Sequence, residues 1–391
     1  MNTNRPIAKL RAALNGDSSW SLVNSALLML ERFLYCDAGK NHVAPFVRAP
    51  VSVQGVYNNF VIASLPCWLV GLWNVGHQIN LTVEAGQLES LPGWRGTILQ
   101  ASGIGYNPDN FLACSIHGLM YFIPLFVLIL LVTTFWSALF ATLRRHPPDE
   151  GLLAFAWLFS LLLPAGVPMV PVIVGVSFAA VFGKHIYGGS GFYLINPVVV
   201  GMVFLWLAYP AVVFEPGNSV PIMTEITGPE ATQQWWSAFF GARPGAIGAT
   251  SVLGCGLGAV YLLITQSASW KIMLGSLLGI ALAVQLLGLT ALDGAGELSI
   301  AGELVTGGLA FGLVFLATDP VAASMTSGGR WIYGATTGFL AILITLANPG
   351  VGEAVVFAIF IASLLAPLMD SAVISRYKAR RQRRIGGVAD G

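Results

Sequence analysis

The chain has 391 residues, of which 55% are hydrophobic and only 9% are charged. Since a soluble domain carries about 25% charged residues, this composition excludes a soluble fold and predicts an integral membrane protein. The net charge of +1 gives no indication of a nucleic-acid partner. The first residues contain no apolar run before a small-residue cleavage site, so no cleaved signal peptide is expected. The cysteines are scattered, without the spacing of a metal site: Cys36, Cys67, Cys114 and Cys255.

Ten apolar segments are predicted to cross the membrane as helices, each near the roughly 20 residues that a bilayer requires. In chain order they are 58–76, 116–142, 152–165, 168–183, 194–214, 246–265, 271–291, 302–318, 331–347 and 351–370. The predicted fold is therefore all-α. An amino-terminal arm, five helices, an outside loop, five further helices and a basic tail are expected at 1–56, 57–214, 215–245, 246–372 and 373–391.

The basic residues predict the orientation of these helices. With the amino terminus in the cytoplasm, 17 of the 19 Lys and Arg residues fall in inside segments, and only Arg95 and Arg243 fall outside. This distribution matches the general rule that membrane proteins concentrate Lys and Arg in their cytoplasmic loops. Ten crossings then place both termini in the cytoplasm of a bacterial inner membrane, although charge alone leaves open whether segments three and four are two spans or one re-entrant hairpin.

Glycine and proline interrupt the apolar sequence between 150 and 210. The breaks lie at 164–168, at 188–191 and at Asn196-Pro197. Broken helices at membrane depth are typical of transporter-type bundles, where the freed backbone groups line a cavity or bury against protein. A second Asn-Pro, Asn348-Pro349, precedes the last helix in a similar position. This correspondence favours two pseudo-symmetric halves of five helices with a site between them.

Two carboxylates fall at membrane depth. Asp319 ends an apolar run, and Asp370 lies near the end of the last helix. A buried acid is costly enough to be a functional candidate, so both are candidate residues of a Na⁺ or proton path. The alternative is an interfacial acid that caps a helix or pairs with Arg330 or the basic tail.

Several polar residues are candidates for cofactor binding. The amide of Asn196 either satisfies the backbone freed by Pro197 or binds the edge of a flavin or quinone. Lys184 is either a cytoplasmic anchor or part of a cationic site. The outside loop and the turn after it offer hydroxyls and free N–H groups to a phosphate, or form a plain helix start; the candidate hydroxyls are Thr227, Thr232 and Thr250.

The motifs of the chain resemble those of the NqrB/RnfD family, whose members are membrane subunits of the sodium-pumping NADH:quinone oxidoreductase and of the related Rnf complex. They recur in the family's order over nearly the whole chain, as RRHPPDEG (144–151), FGKHIYGGSGFYLINPVVVG (182–201), LAYP (207–210), PGAIGATS (244–251), FLATDPVAAS (315–324), GRWIYG (329–334), ANPG (347–350) and LLAPLMD (364–370). The resemblance implies a two-times-five bundle of the kind seen in urea channels, and a complex that couples electron transfer through flavins to ion movement.

The chain departs from this family at flavin positions. Where the family carries FMN on a Thr of a Ser-Gly-Ala-Thr motif, this sequence has Thr227-Gly-Pro-Glu-Ala-Thr232. The family has an Arg-Asn pair that is associated with riboflavin. This chain has Phe192-Tyr193 in its place. FMN and riboflavin are thus the cofactors that the resemblance implies, and it leaves covalent attachment of FMN open.

The expected function is a membrane subunit of an electron-transfer complex that holds flavin and helps to couple electron flow to Na⁺ or H⁺ movement. Its expected partners are the membrane, other subunits of the complex and a quinone. Two alternatives use the same scaffold: a flavin-free channel or transporter, and a membrane anchor for soluble redox partners.

Overall fold

The computed structural model describes residues 53–84, 94–103, 105–144, 151–210, 231–242, 245–288, 302, 305, 308–347 and 354–389. The helices, in chain order, are α1 Val53–Glu84, α2 Trp94–Ser102, α3 Phe111–Arg144, α4 Leu152–Leu162, α5 Met169–Phe178, α6 Pro197–Ala208, α7 Ala231–Phe240, α8 Val252–Ile264, α9 Trp270–Gly288, α10 Leu309–Phe311, α11 Ser327–Ala347 and α12 Ala354–Ala389. Within these ranges the regular structure is helical throughout, which confirms the predicted all-α membrane class.

All ten predicted spans fall on helices. Five of the helices (α1, α3, α9, α11 and α12) are long and apolar enough to cross a membrane. Four more are shorter apolar helices, namely α4, α5 with the segment that continues it to His185, α6 and α8. The last helix continues past the predicted end of its span, through the basic segment. Lys, Arg and Gln are good helix formers, and neither Gly nor Pro interrupts residues 373–384, so nothing there stops the helix.

Two helices lie where the sequence analysis placed only outside loops. They are α2 and α7, of 9 and 10 residues. Both are too short to be counted as spans by hydropathy. The α7 sequence, ATQQWWSAFF, carries an aromatic patch in which Trp235 stacks on Phe239 with ring centroids 5.2 Å apart. Tryptophan is enriched where protein meets the membrane surface.

Two apolar helices end in π-helical segments. The helix α5 continues as a π-helix over Ala179–His185, and α10 continues as one over Gly312–Leu316. After the first, Gly188, Gly189 and Gly191 have φ values of 121°, 102° and 92°, a backbone conformation that other residues rarely adopt. The predicted break at 188–191 is thus confirmed. Single π-helical turns are frequently found at functional sites.

The backbone groups freed at the first break are satisfied by the other half of the chain. The helix α4 ends before Leu163-Pro164, and the carbonyl oxygens of Leu161 and Leu163 accept hydrogen bonds from the backbone N–H groups of Gly248 (2.7 Å) and Ile247 (3.2 Å). Broken backbone at membrane depth requires such partners. The predicted break at 164–168 therefore also joins the two halves.

Glycines allow the long helices to pack closely. Two of the most extensively packed pairs are α9 with α11 and α1 with α3. A Cβ on Gly279 of α9 would clash with the backbone of Ala335, and a Cβ on Gly76 of α1 would clash with the backbone of Cys114. Small residues at such crossings are the usual way in which membrane helices associate. Each predicted half contains one of these pairs and one helix with a π segment, the pattern expected of related halves.

Candidate functional site

A buried carboxylate lies where the second π segment ends. Asp319 is 5% exposed. Its Oδ1 accepts a hydrogen bond from the backbone N–H of Val321 at 2.9 Å, and the hydroxyl of Tyr193 lies 2.9 and 3.1 Å from its two oxygens. A buried charge is tolerated only when it is paired and hydrogen-bonded. The partners of Asp319 come from both halves of the chain.

Asn196 is the third partner of this carboxylate. Its Nδ2 donates to Asp319 Oδ2 at 2.8 Å, while its Oδ1 accepts from the backbone N–H of Val198 at 2.9 Å. Asn196 is thus the N-cap of α6, and Pro197 occupies the first helical turn, where its missing N–H costs nothing. Of the two interpretations from sequence, the structure supports the one in which the amide satisfies freed backbone, and it adds the bond to Asp319.

Two tyrosines complete the polar cluster, and sequence reasoning assigned neither to the site. The hydroxyls of Tyr57 and Tyr193 lie 2.8 Å apart, and Tyr193 is also the partner of Asp319. From sequence, Tyr193 stands out only as a departure from a family motif. Tyr57 lies in the first turns of α1, 136 residues away. No local pattern connects them, because tertiary structure alone brings them together.

Lys184 is buried inside the bundle. It lies on the first π segment, is 2% exposed, and places Nζ 5.7 Å from the centroid of the Phe155 ring. It also interacts electrostatically with Asp319. A lysine that anchors a loop to the membrane surface keeps its ammonium group in water. The anchor interpretation of Lys184 therefore does not describe its position.

These polar residues share a pocket with about 410 Å³ of empty space, including its open mouth. The pocket lies at the end of the bundle where α1 and α4 begin. Its aromatic residues are Tyr57, Phe60, Phe155, Tyr193 and Phe315. Its other polar and charged residues are Lys184, Ser190, Asn196 and Asp319. An apolar pocket with a few convergent polar groups is the typical arrangement of a binding site for a small molecule.

Asp370 does not line the pocket. Its carboxylate instead stabilises a turn. Its carboxylate accepts from the backbone N–H groups of Met325 (2.9 Å) and Thr326 (3.0 Å), and from the hydroxyls of Ser324 and Thr326, both at 2.5 Å. Asp319 binds the start of this turn through Val321. The two candidate ion-path acids therefore secure opposite ends of one turn, the turn that precedes α11.

Among the candidate hydroxyls for flavin attachment, only that of Thr250 is in the described part of the chain, and Thr250 does not line this pocket. Thr227 lies outside the described residues, as do Asn348 and Pro349, and the side chain of Thr232 on α7 is also outside them. Thr250 is 7% exposed, and its buried Oγ1 has no hydrogen-bond partner among the described residues. Attachment of a bulky phosphoester at this oxygen would therefore require the turn to open.

Comparison with known proteins identifies the family. The model of the NQR2, RnfD, RnfE family matches residues 40–378. The chain is 35% identical over 379 residues to the NqrB subunit of the Na(+)-translocating NADH-quinone reductase of Pseudomonas aeruginosa, and the match covers 91% of this chain and 93% of the relative. It is 36% identical over 358 residues to the corresponding subunit of Chromohalobacter salexigens, covering 86% of each chain. The chain is a multi-pass membrane protein that belongs to the NQR2, RnfD, RnfE family.

Proposed function

We propose that this protein is a membrane subunit of an Nqr/Rnf-like electron-transfer complex and couples electron flow to cation translocation at Asp319. The observation that carries the proposal is the burial of this carboxylate at a helix break, with partners from both halves, beside a pocket. Ionisable residues inside membrane proteins mark ion pathways. Discontinuous helices at a repeat interface are where transporters place their coupling-ion sites.

The relatives support the redox part of this proposal. Their names specify NADH, a quinone and Na⁺. We extend the NADH and quinone chemistry and the requirement for other subunits to this chain. The charge distribution of the sequence supports cytoplasmic termini and a location in the inner membrane. Asp370 contributes to the ion path through the turn that it holds beside Asp319.

We place a flavin at the mouth of the pocket beside Asp319, whose lining offers contacts that suit a flavin ring system. Phe60, Phe155 and Phe315 offer apolar and aromatic surface, and Lys184 offers a cation. Asn196 lines the same pocket, although its amide is committed to Asp319 and Val198. When bound, a flavin would supply reversible one- and two-electron transfer. The chain's own residues would bind it, orient it and exclude water from it.

The test compares Asp319→Asn with a matched control, Asp109→Asn, in the assembled complex. Asp109 is an exposed carboxylate in the turn before α3. In inverted membrane vesicles, the Asp319 variant should oxidise NADH without building a membrane potential, and the Asp109 variant should behave as wild type. A wild-type potential in Asp319→Asn would remove this residue from the ion path.

A second measurement addresses the cofactor. The purified protein is extracted with acid, and the extract is assayed for flavin fluorescence. We expect released flavin, and we expect it to decrease in Phe155→Ala, which removes one aromatic wall of the pocket. A colourless protein with no flavin in the extract would favour the flavin-free channel or the anchor.

A further inference from the structure

We infer that the ion that Asp319 carries is a proton rather than Na⁺, and that Tyr57 and Tyr193 form the hydrogen-bonded path by which it arrives. This inference rests on the proposed coupling function and names its substrate. The relatives carry Na⁺ in their names, so the chemistry around Asp319 predicts a difference between this chain and them.

The neighbours of the carboxylate are hydrogen-bond donors. The hydroxyl of Tyr193, the amide Nδ2 of Asn196 and the backbone N–H of Val321 all donate to it. The orientation of the Asn196 amide is determined, because its oxygen accepts from Val198. A sodium ion requires several oxygen lone pairs, which transporters supply from backbone carbonyls and carboxylates. Here both carboxylate oxygens face N–H and O–H groups instead.

The charges near Asp319 also disfavour binding of a metal cation there. Among the described residues that line the pocket, Asp319 is the only carboxylate, and the buried ammonium group of Lys184 interacts with it. From α11, Tyr333 also interacts electrostatically with Asp319, and its hydroxyl lies 3.2 Å from that of Ser363. A Na⁺ ion at Asp319 would be repelled by Lys184 in a medium of low dielectric. A proton instead binds covalently to the carboxylate and needs no coordination shell.

The tyrosines give the path a direction. The ionised carboxylate is only an acceptor, so the Tyr193 hydroxyl points its hydrogen at Asp319 and accepts from Tyr57. In the transfer, the Tyr193 O–H bond breaks as an O–H bond forms on Asp319. The Tyr57 O–H bond breaks as that of Tyr193 forms again, and Tyr57 regains a proton from a hydronium ion at the pocket, which becomes water. One proton moves from the pocket to Asp319, and both tyrosines end unchanged.

The experiment uses the complete complex in sealed proteoliposomes supplied with NADH and a soluble quinone. Proton movement is followed with a pH-sensitive dye, and sodium movement with ²²Na⁺. We expect proton uptake or release in sodium-free potassium buffer, with no accumulation of ²²Na⁺. Tyr193→Phe and Tyr57→Phe should each lower proton flux by roughly 10²-fold, the usual contribution of a positioned proton-transfer group. The control Tyr187→Phe removes an exposed hydroxyl outside the pocket and should leave the flux unchanged.

The outcomes separate this inference from the proposed function. Accumulation of ²²Na⁺ with sodium-stimulated turnover would overturn the inference and leave the coupling function intact. Electron transfer that moves neither ion would overturn the coupling function itself. Sodium-free proton movement that survives both Phe substitutions would overturn the tyrosine path. Tyr57→Phe leaves every direct contact of Asp319 in place, so it tests the path even if Tyr193→Phe fails to assemble.

Discussion

At the residue scale, the candidate site depends on polar side chains that each have more than one function. Asn196 caps α6 with its oxygen and holds Asp319 with its nitrogen. Asp319 in turn receives three donors from two segments of the chain. Residue type and position identified Asp319, Asn196 and Lys184 as candidates from sequence, because a buried charge or a polar group beside proline is rare in apolar sequence. Their mutual contacts were not predictable.

Asn196→Ala should destabilise the protein more than loss of a helix cap alone. Ser251 caps α8 through the backbone N–H of Gly254 and has no acidic partner in the described part of the chain, so Ser251→Ala is the matched control. Loss of a cap costs about 1 kcal/mol, whereas Asn196→Ala also deprives a buried carboxylate of a donor, which adds about 1–3 kcal/mol. Thermal unfolding in detergent measures both. Equal shifts in the two variants would show that the bond to Asp319 contributes nothing.

Thr250→Ala should leave any covalently attached flavin in place. The Thr250 hydroxyl is buried, so it is inaccessible to a phosphoester. Fluorescence of the protein band on a denaturing gel under ultraviolet light is the measurement, with Thr227→Ala and Thr232→Ala in parallel. If the wild-type band is fluorescent and Thr250→Ala abolishes the signal, Thr250 is the acceptor, and the turn must open during attachment.

At the element scale, hydropathy predicted which segments are helices, and the helix-breaking residues proline and glycine predicted where the helices stop. The breaks at 164–168, 188–191 and Asn196-Pro197 are present because proline and glycine act on the local backbone. The π segments were not predicted. They insert an extra residue into an apolar helix, and apolar composition is the same in an α-helix and a π-helix, so sequence carries no signal that separates them.

Gly279→Ala should weaken the packing of α9 on α11. The added methyl group would clash with the backbone of Ala335, and overpacking of this kind costs about 1–3 kcal/mol. Gly256→Ala on α8 is the control, because a Cβ there has nothing within 4 Å. The control should be neutral or more stable by up to about 1 kcal/mol, since Ala is the better helix former. Unfolding temperatures in detergent that fall equally in both variants would contradict the close crossing.

At the scale of the whole molecule, the two halves meet at several points in the described part of the chain. The end of α4 and the segment before α8 share backbone hydrogen bonds, and Asp319 of the second half binds two residues of the first. The helices α1 and α8 also pack together, with the thiols of Cys67 and Cys255 lying 3.7 Å apart. A site formed this way responds to any relative movement of the halves.

Cys67 and Cys255 should form a disulfide on mild oxidation with copper–phenanthroline. Their sulfur atoms need to approach by less than about 2 Å to reach bonding distance, about 2.05 Å. A Cys36→Ser background removes the cysteine outside the described residues. Mass spectrometry of digested protein should find the Cys67–Cys255 linkage and none to Cys114, whose thiol faces Asn80 and the carbonyl of Pro108. Cross-links to Cys114 instead would contradict the arrangement of α1 and α8.

The amino-acid sequence by itself determined that the protein is a helical membrane protein, the positions of its spans and the places where they break. These properties follow from the length of apolar segments and from the backbone preferences of glycine and proline, which act locally. Only the tertiary structure decided that Tyr57, Tyr193, Asn196 and Asp319 form one hydrogen-bonded chain and that Lys184 is buried beside it. Contacts between residues more than a hundred positions apart arise from helix packing, which places side chains together without leaving a pattern in either segment.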